Sequence, residues 1–308
     1  MIVSLAGGVG AARFLEGLIR VIPEKQLTII GNVGDDTEVY GLHVSPDLDI
    51  VAYTLAGVVD PDKGWGFRGD TFQCRSWLER YGYETWFNIG DKDLATHIYR
   101  TEKLRKGIPL SEVTQEIVRR LGLKVRLLPP TDDPVQTYVV TENAIMHFQE
   151  YMVKMQTKPR VRGVIFRGGR SAKPAKHVLE SISKAKGIVI PPSNPIVSIG
   201  AILSVPGIRS GLQHANAKIV GLSPIVGGKT IKGPADKLMR ALRIQPSAVG
   251  VAKLYQDFLD ALIIDRVDEN LASEIKSLGI KVIVADTVMR TMADKVRLAR
   301  IVVRELRR

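Results

Sequence analysis

The chain has 308 residues, 45% of them hydrophobic and 25% charged, which is enough apolar content for one large or two moderate domains and too much for a disordered chain. Forty-four Lys and Arg against 32 Asp and Glu leave a net charge of +12, a balance that suits phosphates, diphosphates or nucleic acid without choosing among them. Cys74 is the only cysteine, so an intrachain disulfide and a thiolate metal cluster are excluded, and a reducing cytoplasm is the expected setting.

In chain order, residues 2–5 form a short apolar strand that breaks into a glycine turn, and a helical pattern follows over residues 13–22. Residues 27–30 form a second strand. The same strand, loop and amphipathic stretch recurs at residues 187–190 and 219–222, with further strands at 262–264 and 282–284. This repetition predicts an α/β fold with a Rossmann-like, doubly wound, mainly parallel sheet. Residues 60–158 differ: they are aromatic-rich, with helical patterns at 76–81 and 110–121. They predict a smaller α-rich region, inserted into or packed on a core of residues 1–59 and 159–308. No apolar run approaches the roughly 20 residues of a membrane helix, and no basic leader precedes the first strand, so neither membrane insertion nor export is expected.

Gly7-Gly8-Val9-Gly10 lies where a strand hands over to a helix, the place where backbone N–H groups and a helix N-terminus face a diphosphate. Arg13 occupies the third position of a dinucleotide fingerprint and no Gly-Lys-Ser/Thr follows, so it is neither that motif nor a P-loop. Asn32-Val33-Gly34-Asp35-Asp36 and Ser45-Pro46-Asp47-Leu48-Asp49 fall near the expected carboxyl edge of the sheet. In an extended segment Asp47 and Asp49 would share one face, suited to holding Mg²⁺ or taking a proton from a hydroxyl; capping of a helix over residues 50–56 would explain one of the two. Pro191-Pro192-Ser193-Asn194-Pro195 and the loop from Ser223 to Gly227 and Gly228 each follow a buried strand and add donors for phosphates. Asp93 reads as a helix cap, His97 as non-catalytic, and the five histidines show no metal-ligand spacing. Eight basic residues fall between Lys154 and Lys176 with Phe166 as the sole aromatic, so no stacking platform for nucleic acid is expected. Arg297, Arg300 and Arg304 at helical spacing read as a solvated face.

Taken together, LAGGVGAARFLEGL, SPDLDIVAYTLAG, WGFRGDTF, GDKDLATH, DDPVQTYV, PPSNPIVSIGAIL, SPIVGGKTIKGPADKLM, GVAKLYQDFLDALIID and ADTVM resemble the 2-phospho-L-lactate transferase (CofD) family from end to end. The resemblance implies a homodimer using Mg²⁺, with lactyl-2-diphospho-5'-guanosine as donor and the deazaflavin Fo as acceptor. The implied products are GMP and coenzyme F-420-0. The family's deazaflavin-binding aspartate matches Asp49, and Asp47 and Asp49 are expected to orient the reacting hydroxyl or the Mg²⁺. From their place on the loops, Gly7, Gly8, Gly10, Ser193, Asn194, Ser223 and Gly227 are expected to hold the donor diphosphate. The family's second acceptor-binding position, usually Arg or Lys, falls on Asn88. The rival expectation is a related non-enzymatic regulatory protein that binds nucleotide-sugars; the SPDLD, WGFRGDTF and GDKDLATH segments set the transferases apart from it.

Overall fold

The structure, a computed structural model, describes all 308 residues. Its centre is a seven-stranded parallel sheet made of β1 (Ile2–Ala6), β2 (Leu27–Gly31), β3 (Arg126–Leu128), β4 (Gly187–Ile190), β5 (Ile219–Leu222), β6 (Ala261–Asp265) and β7 (Lys281–Ala285). These segments are short and mainly apolar, as strands covered on both faces require, and every residue of β2, β4, β5 and β6 is buried. The strand order is β3-β2-β1-β4-β5-β6-β7, with Ile2 in register with Leu27 on one side and with Gly187 on the other.

The order reverses direction between β1 and β4, and there the loops leaving the two strands diverge to opposite faces. A crevice therefore opens at the carboxyl ends of β1 and β4, the position where doubly wound sheets take their ligands. Helix α1 (Gly8–Leu18) starts in that crevice and packs against the C-terminal helix, Met292–Leu306. Helix α2 (Pro46–Leu55) lies beside α1; its Pro46 stands at the first helical position, where a missing N–H removes no bond.

Residues 60–158 are not purely helical. They hold α3 (Gln73–Arg80), α4 (Asp91–Arg105) and α5 (Leu110–Arg120), but also β3, which extends the central sheet. They hold as well the strands Gln136–Thr141 and Ile145–His147, which join Val161–Arg167 in a three-stranded antiparallel sheet. Alternating burial along Gln136–Thr141 is the period-two signature of a half-covered strand, a pattern masked in the sequence by its short length. The first helix also begins earlier than its apolar periodicity predicts: the glycine run is its first turn.

Candidate functional site

A cavity of about 530 Å³ occupies the crevice at the carboxyl edge of the sheet. One wall is the β1–α1 turn. Gly7 is the extended N-cap residue and Gly8 takes φ +76, a left-handed conformation that favours glycine. At Gly10 a Cβ would lie 2.3 Å from the carbonyl oxygen of Pro192, so only glycine lets α1 seat against the loop after β4. That loop is bonded to the turn: the Gly7 N–H donates to Ser193 Oγ at 3.2 Å. Asn194 uses its Oδ1 to accept from the N–H groups of Ile196 and Val197, which shapes the loop and leaves its amide nitrogen free at the cavity. Ser223 reaches the cavity too, with its hydroxyl engaged inside its own turn at the Ile225 carbonyl. Gly227 does not: its N–H donates to Asp268, outside the cavity.

The floor is acidic. Asp47 and Asp49 lie in the first turn of α2, not in an extended segment, and neither is the N-cap, which is Ser45. Two residues apart on a helix, they point in different directions. Asp47 turns toward the glycine turn and accepts from Asn32 Nδ2 at 2.9 Å, from the Gly8 N–H and from the Ser198 hydroxyl. Burial, aided by the nearby Asp36, pushes its carboxyl up to about 6. Asp35, also on the cavity, is raised well above the usual carboxylate range by burial and by the charge of Asp47, and its Oδ1 has no partner. Asp36 is raised by burial against the opposing pull of His43, whose Nε2 lies 2.9 Å from it. Asp35 and Asp47 are thus two neighbouring carboxylates on the cavity, neither of which has an ion-pair partner.

Asp49 turns the other way and meets Arg100 of α4. Both Asp49 oxygens contact the guanidinium, Oδ2 at 3.0 Å from Nη1. Nη1 also reaches His97 Nδ1 at 3.3 Å, while His97 Nε2 lies 3.3 Å from Asp93 Oδ1, which accepts from the Tyr53 hydroxyl at 2.8 Å. Asp49, Tyr53, Asp93 and His97 line the cavity, and Arg100 stands behind them. Apolar walls come from Val44, Ile50, Trp65, Phe87, Phe148 and Met152, with Asn88 exposed at the rim. Two lysine or arginine side chains line the cavity, Arg13 and Lys232, and neither forms an ion pair.

The structure thus brings together Gly7, Gly8, Gly10, Asp47, Asp49, Asn88, Ser193, Asn194 and Ser223. Sequence reasoning missed Asp35, Tyr53, Asp93, His97 and Arg100 as members of the site. A signal was available: Asp93, His97 and Arg100 recur at spacings of four and three, which puts three polar side chains on one helix face. Such an arrangement combines an anion-binding turn, a carboxylate pair and an apolar slot, and it can hold a diphosphate against an aromatic acceptor.

Residues 2–302 match the family described as 2-phospho-L-lactate transferase CofD. The chain is 46% identical over 286 residues to a phosphoenolpyruvate transferase of Streptomyces griseus, covering 91% of this chain and 90% of that one. It is 41% identical over 298 residues to a 2-phospho-L-lactate transferase of Methanosarcina mazei, covering 97% and 98%. Its fold is similar to the crystal structure of a UPF0052-family protein from Bacillus halodurans, with TM-score 0.66, 16% identity and 98% of both chains covered.

Proposed function

Since the chain belongs to the 2-phospho-L-lactate transferase (CofD) family, and is thereby an enzyme of coenzyme F-420 biosynthesis, we propose that it moves a 2-phospho-L-lactyl group from lactyl-2-diphospho-5'-guanosine to the deazaflavin Fo. The observation that carries this reading is the position of one cavity at the sheet's switch point, with an anion-binding turn on one side and an apolar slot on the other. The terminal ribityl hydroxyl of Fo attacks the phosphorus that bears the lactate. The bond from that phosphorus to the bridging oxygen breaks, GMP leaves with the oxygen, and a cavity carboxylate takes up the hydroxyl proton. Chemistry of this kind rests on positioning and charge neutralisation.

On this reading the Gly7–Gly10 turn with Ser193 and the Asn194 amide receives the diphosphate, Arg13 and Lys232 add the positive charge, and Ser223, its hydroxyl spent on the Ile225 carbonyl, shapes the neighbouring loop. Asp35 and Asp47 would hold Mg²⁺, since Asp49 already has Arg100 as its counter-charge; bound there, the ion supplies charge neutralisation at the diphosphate. The raised carboxyls and the orphaned Asp35 Oδ1 support that assignment. Asp49, held by Arg100, faces the acceptor and orients its hydroxyl, while Tyr53, Phe87 and Phe148 cover the aromatic rings.

A second reading differs in the three-carbon acid alone. Relatives of 43–46% identity are phosphoenolpyruvate transferases, which favours a phosphoenolpyruvyl donor. Incubating the protein with Fo, Mg²⁺ and each donor separately, and weighing the products by mass spectrometry, tests both. A lactyl product carries two more hydrogens than an enolpyruvyl one. Failure to transfer either group overturns the proposal and favours a regulatory, ligand-binding role.

A further inference from the structure

Arg100 is the most completely buried large side chain of the site, at 1% exposure, and it touches no part of the cavity surface. A buried guanidinium is tolerated only where carboxylates and acceptors surround it. Here they come from two helices at once. Asp49 and Tyr53 are four residues apart on α2; Asp93, His97 and Arg100 follow the same rule on α4. The fork of Arg100 takes both oxygens of Asp49, which fixes the plane of that carboxylate as well as its place. Its Nη1 also faces His97 Nδ1. Because a guanidinium can donate but not accept, Nδ1 must be the accepting nitrogen, and the ring proton sits on Nε2, toward Asp93. Tyr53 closes the chain by donating to Asp93. Four cavity-lining side chains are thus set by one residue that a ligand never meets.

From this arrangement we infer that Arg100 is the positioning residue of the acceptor half of the site, acting through Asp49 and His97 to hold the hydrogen-bonding edge that a planar, polar-rimmed acceptor meets. The inference rests on the proposed function in taking Asp49 to face the deazaflavin. It separates the two aspartates of the SPDLD segment by role. Asp47 belongs to the donor and its cation, and Asp49 belongs to the acceptor because Arg100 has claimed its charge.

The test is a set of variants read in steady-state kinetics and in fluorescence titration of Fo. Arg100→Lys keeps a buried positive charge but loses the fork. It should fold with a near-normal melting curve and raise the acceptor KM by about fivefold, with kcat and the donor KM unchanged. Arg100→Gln leaves Asp49 buried without a partner and should raise the acceptor KM by at least about tenfold. The double variant Asp49→Asn, Arg100→Gln removes both charges, and its acceptor KM should be no worse than that of Asp49→Asn alone. That comparison stays informative even where Arg100→Gln alone fails to fold. Effects that multiply in the double variant, or an Arg100→Lys enzyme with a normal acceptor KM, would overturn the inference while leaving the function intact. A wild-type protein that neither binds nor consumes Fo overturns the functional reading, and the inference with it.

Discussion

Asn88 stands exposed at the cavity rim, at the position where the family resemblance leads one to expect Arg or Lys. The nearest substitute cation in sequence, Lys92, is already committed to the carbonyls of Arg68 and Gly69 at 3.2 and 3.0 Å. An amide can still donate to a polar acceptor edge, but charge-assisted bonds are roughly twice as strong as neutral ones. Asn88→Arg is therefore expected to lower the KM for Fo by several-fold, about 1 kcal/mol, with turnover and donor constants little changed. Initial-rate kinetics with varied Fo check this, and an unchanged KM would place residue 88 away from the bound acceptor. The acidic floor makes a different prediction, on stability. Burial raises the Asp47 carboxyl from its ordinary 3.8 to about 6. The folded chain then binds this proton more tightly than the unfolded chain does. The stability tied to it is fully present below the unfolded value and is lost as pH rises through the folded one. For Asp47 that window runs from about pH 4 to about pH 6, and the shift corresponds to a loss of about 3 kcal/mol in the metal-free protein. Asp35 titrates in the same direction. Mg²⁺ held by these carboxylates would replace the missing proton, so it should raise the melting temperature clearly near pH 7.5 and hardly at pH 5. Thermal melts with and without Mg²⁺ at the two pH values measure it. Equal shifts at both would mean that the ion binds elsewhere.

Helix α1 is held at both ends by glycines that touch backbone, and the two contacts do different things. At Gly10 the neighbour is the Pro192 carbonyl of the cavity loop; at Gly17 it is the main chain of Lys295, where a Cβ would lie 2.5 Å from the carbonyl carbon and oxygen. Either alanine forces the helix away from its partner, a misfit that typically costs about 1–3 kcal/mol. Gly17→Ala should lower the melting temperature and leave the kinetic constants alone, because the C-terminal helix it displaces lines none of the cavity. Gly10→Ala should also raise the donor KM by about tenfold or more, because it parts the turn from Ser193 and Asn194. Melting curves set beside donor kinetics separate the two, and an identical response in both variants would argue against a donor role for the turn. On the opposite side α4 carries Asp93, His97 and Arg100 on one face, and its first turn is fastened by Asp70, which accepts from the N–H groups of Lys92 and Asp93. The helix is thereby fixed at its N-terminal end, close to Asn88.

For the whole molecule, the charge of +12 and the acidic floor of the cavity pull in opposite senses. On the proposed function, a donor with a diphosphate and a carboxylate would be drawn by the long-range field, and the Asp35–Asp47 pair would repel it at close range unless a cation were bound. Screening weakens the long-range part first, since the Debye length is about 10 Å at 0.1 M salt. Raising ionic strength from about 0.05 to about 0.3 M should then reduce kcat/KM for the donor several-fold while that for the electrically milder acceptor stays level. Parallel salt titrations of the two substrates decide it, and an equal fall in both would assign the effect to the fold.

The sequence alone was sufficient for whatever depends on short-range pattern. The short, mainly apolar runs of β1, β2, β4, β5, β6 and β7 announce a parallel sheet because a strand covered on both faces shows little polar alternation. The glycine turn announces the start of a helix, because φ +76 at Gly8 favours glycine and the contact at Gly10 leaves no room for a Cβ. The order of the family segments points to the activity. Tertiary structure alone decided which carboxylates act together. Asp47 and Asp49, separated only by Leu48, diverge because residues two apart on a helix face different ways, and so one joins Asp35 and the other joins Arg100, 51 positions along the chain. The antiparallel strands within residues 136–147 stayed hidden because a six-residue alternation competes poorly with longer helical patterns around it. Arg100 stayed hidden for another reason. A cation in a helix reads as solvent-facing unless the chain brings carboxylates and a histidine to bury it, and only the packing of α4 on the cavity does that.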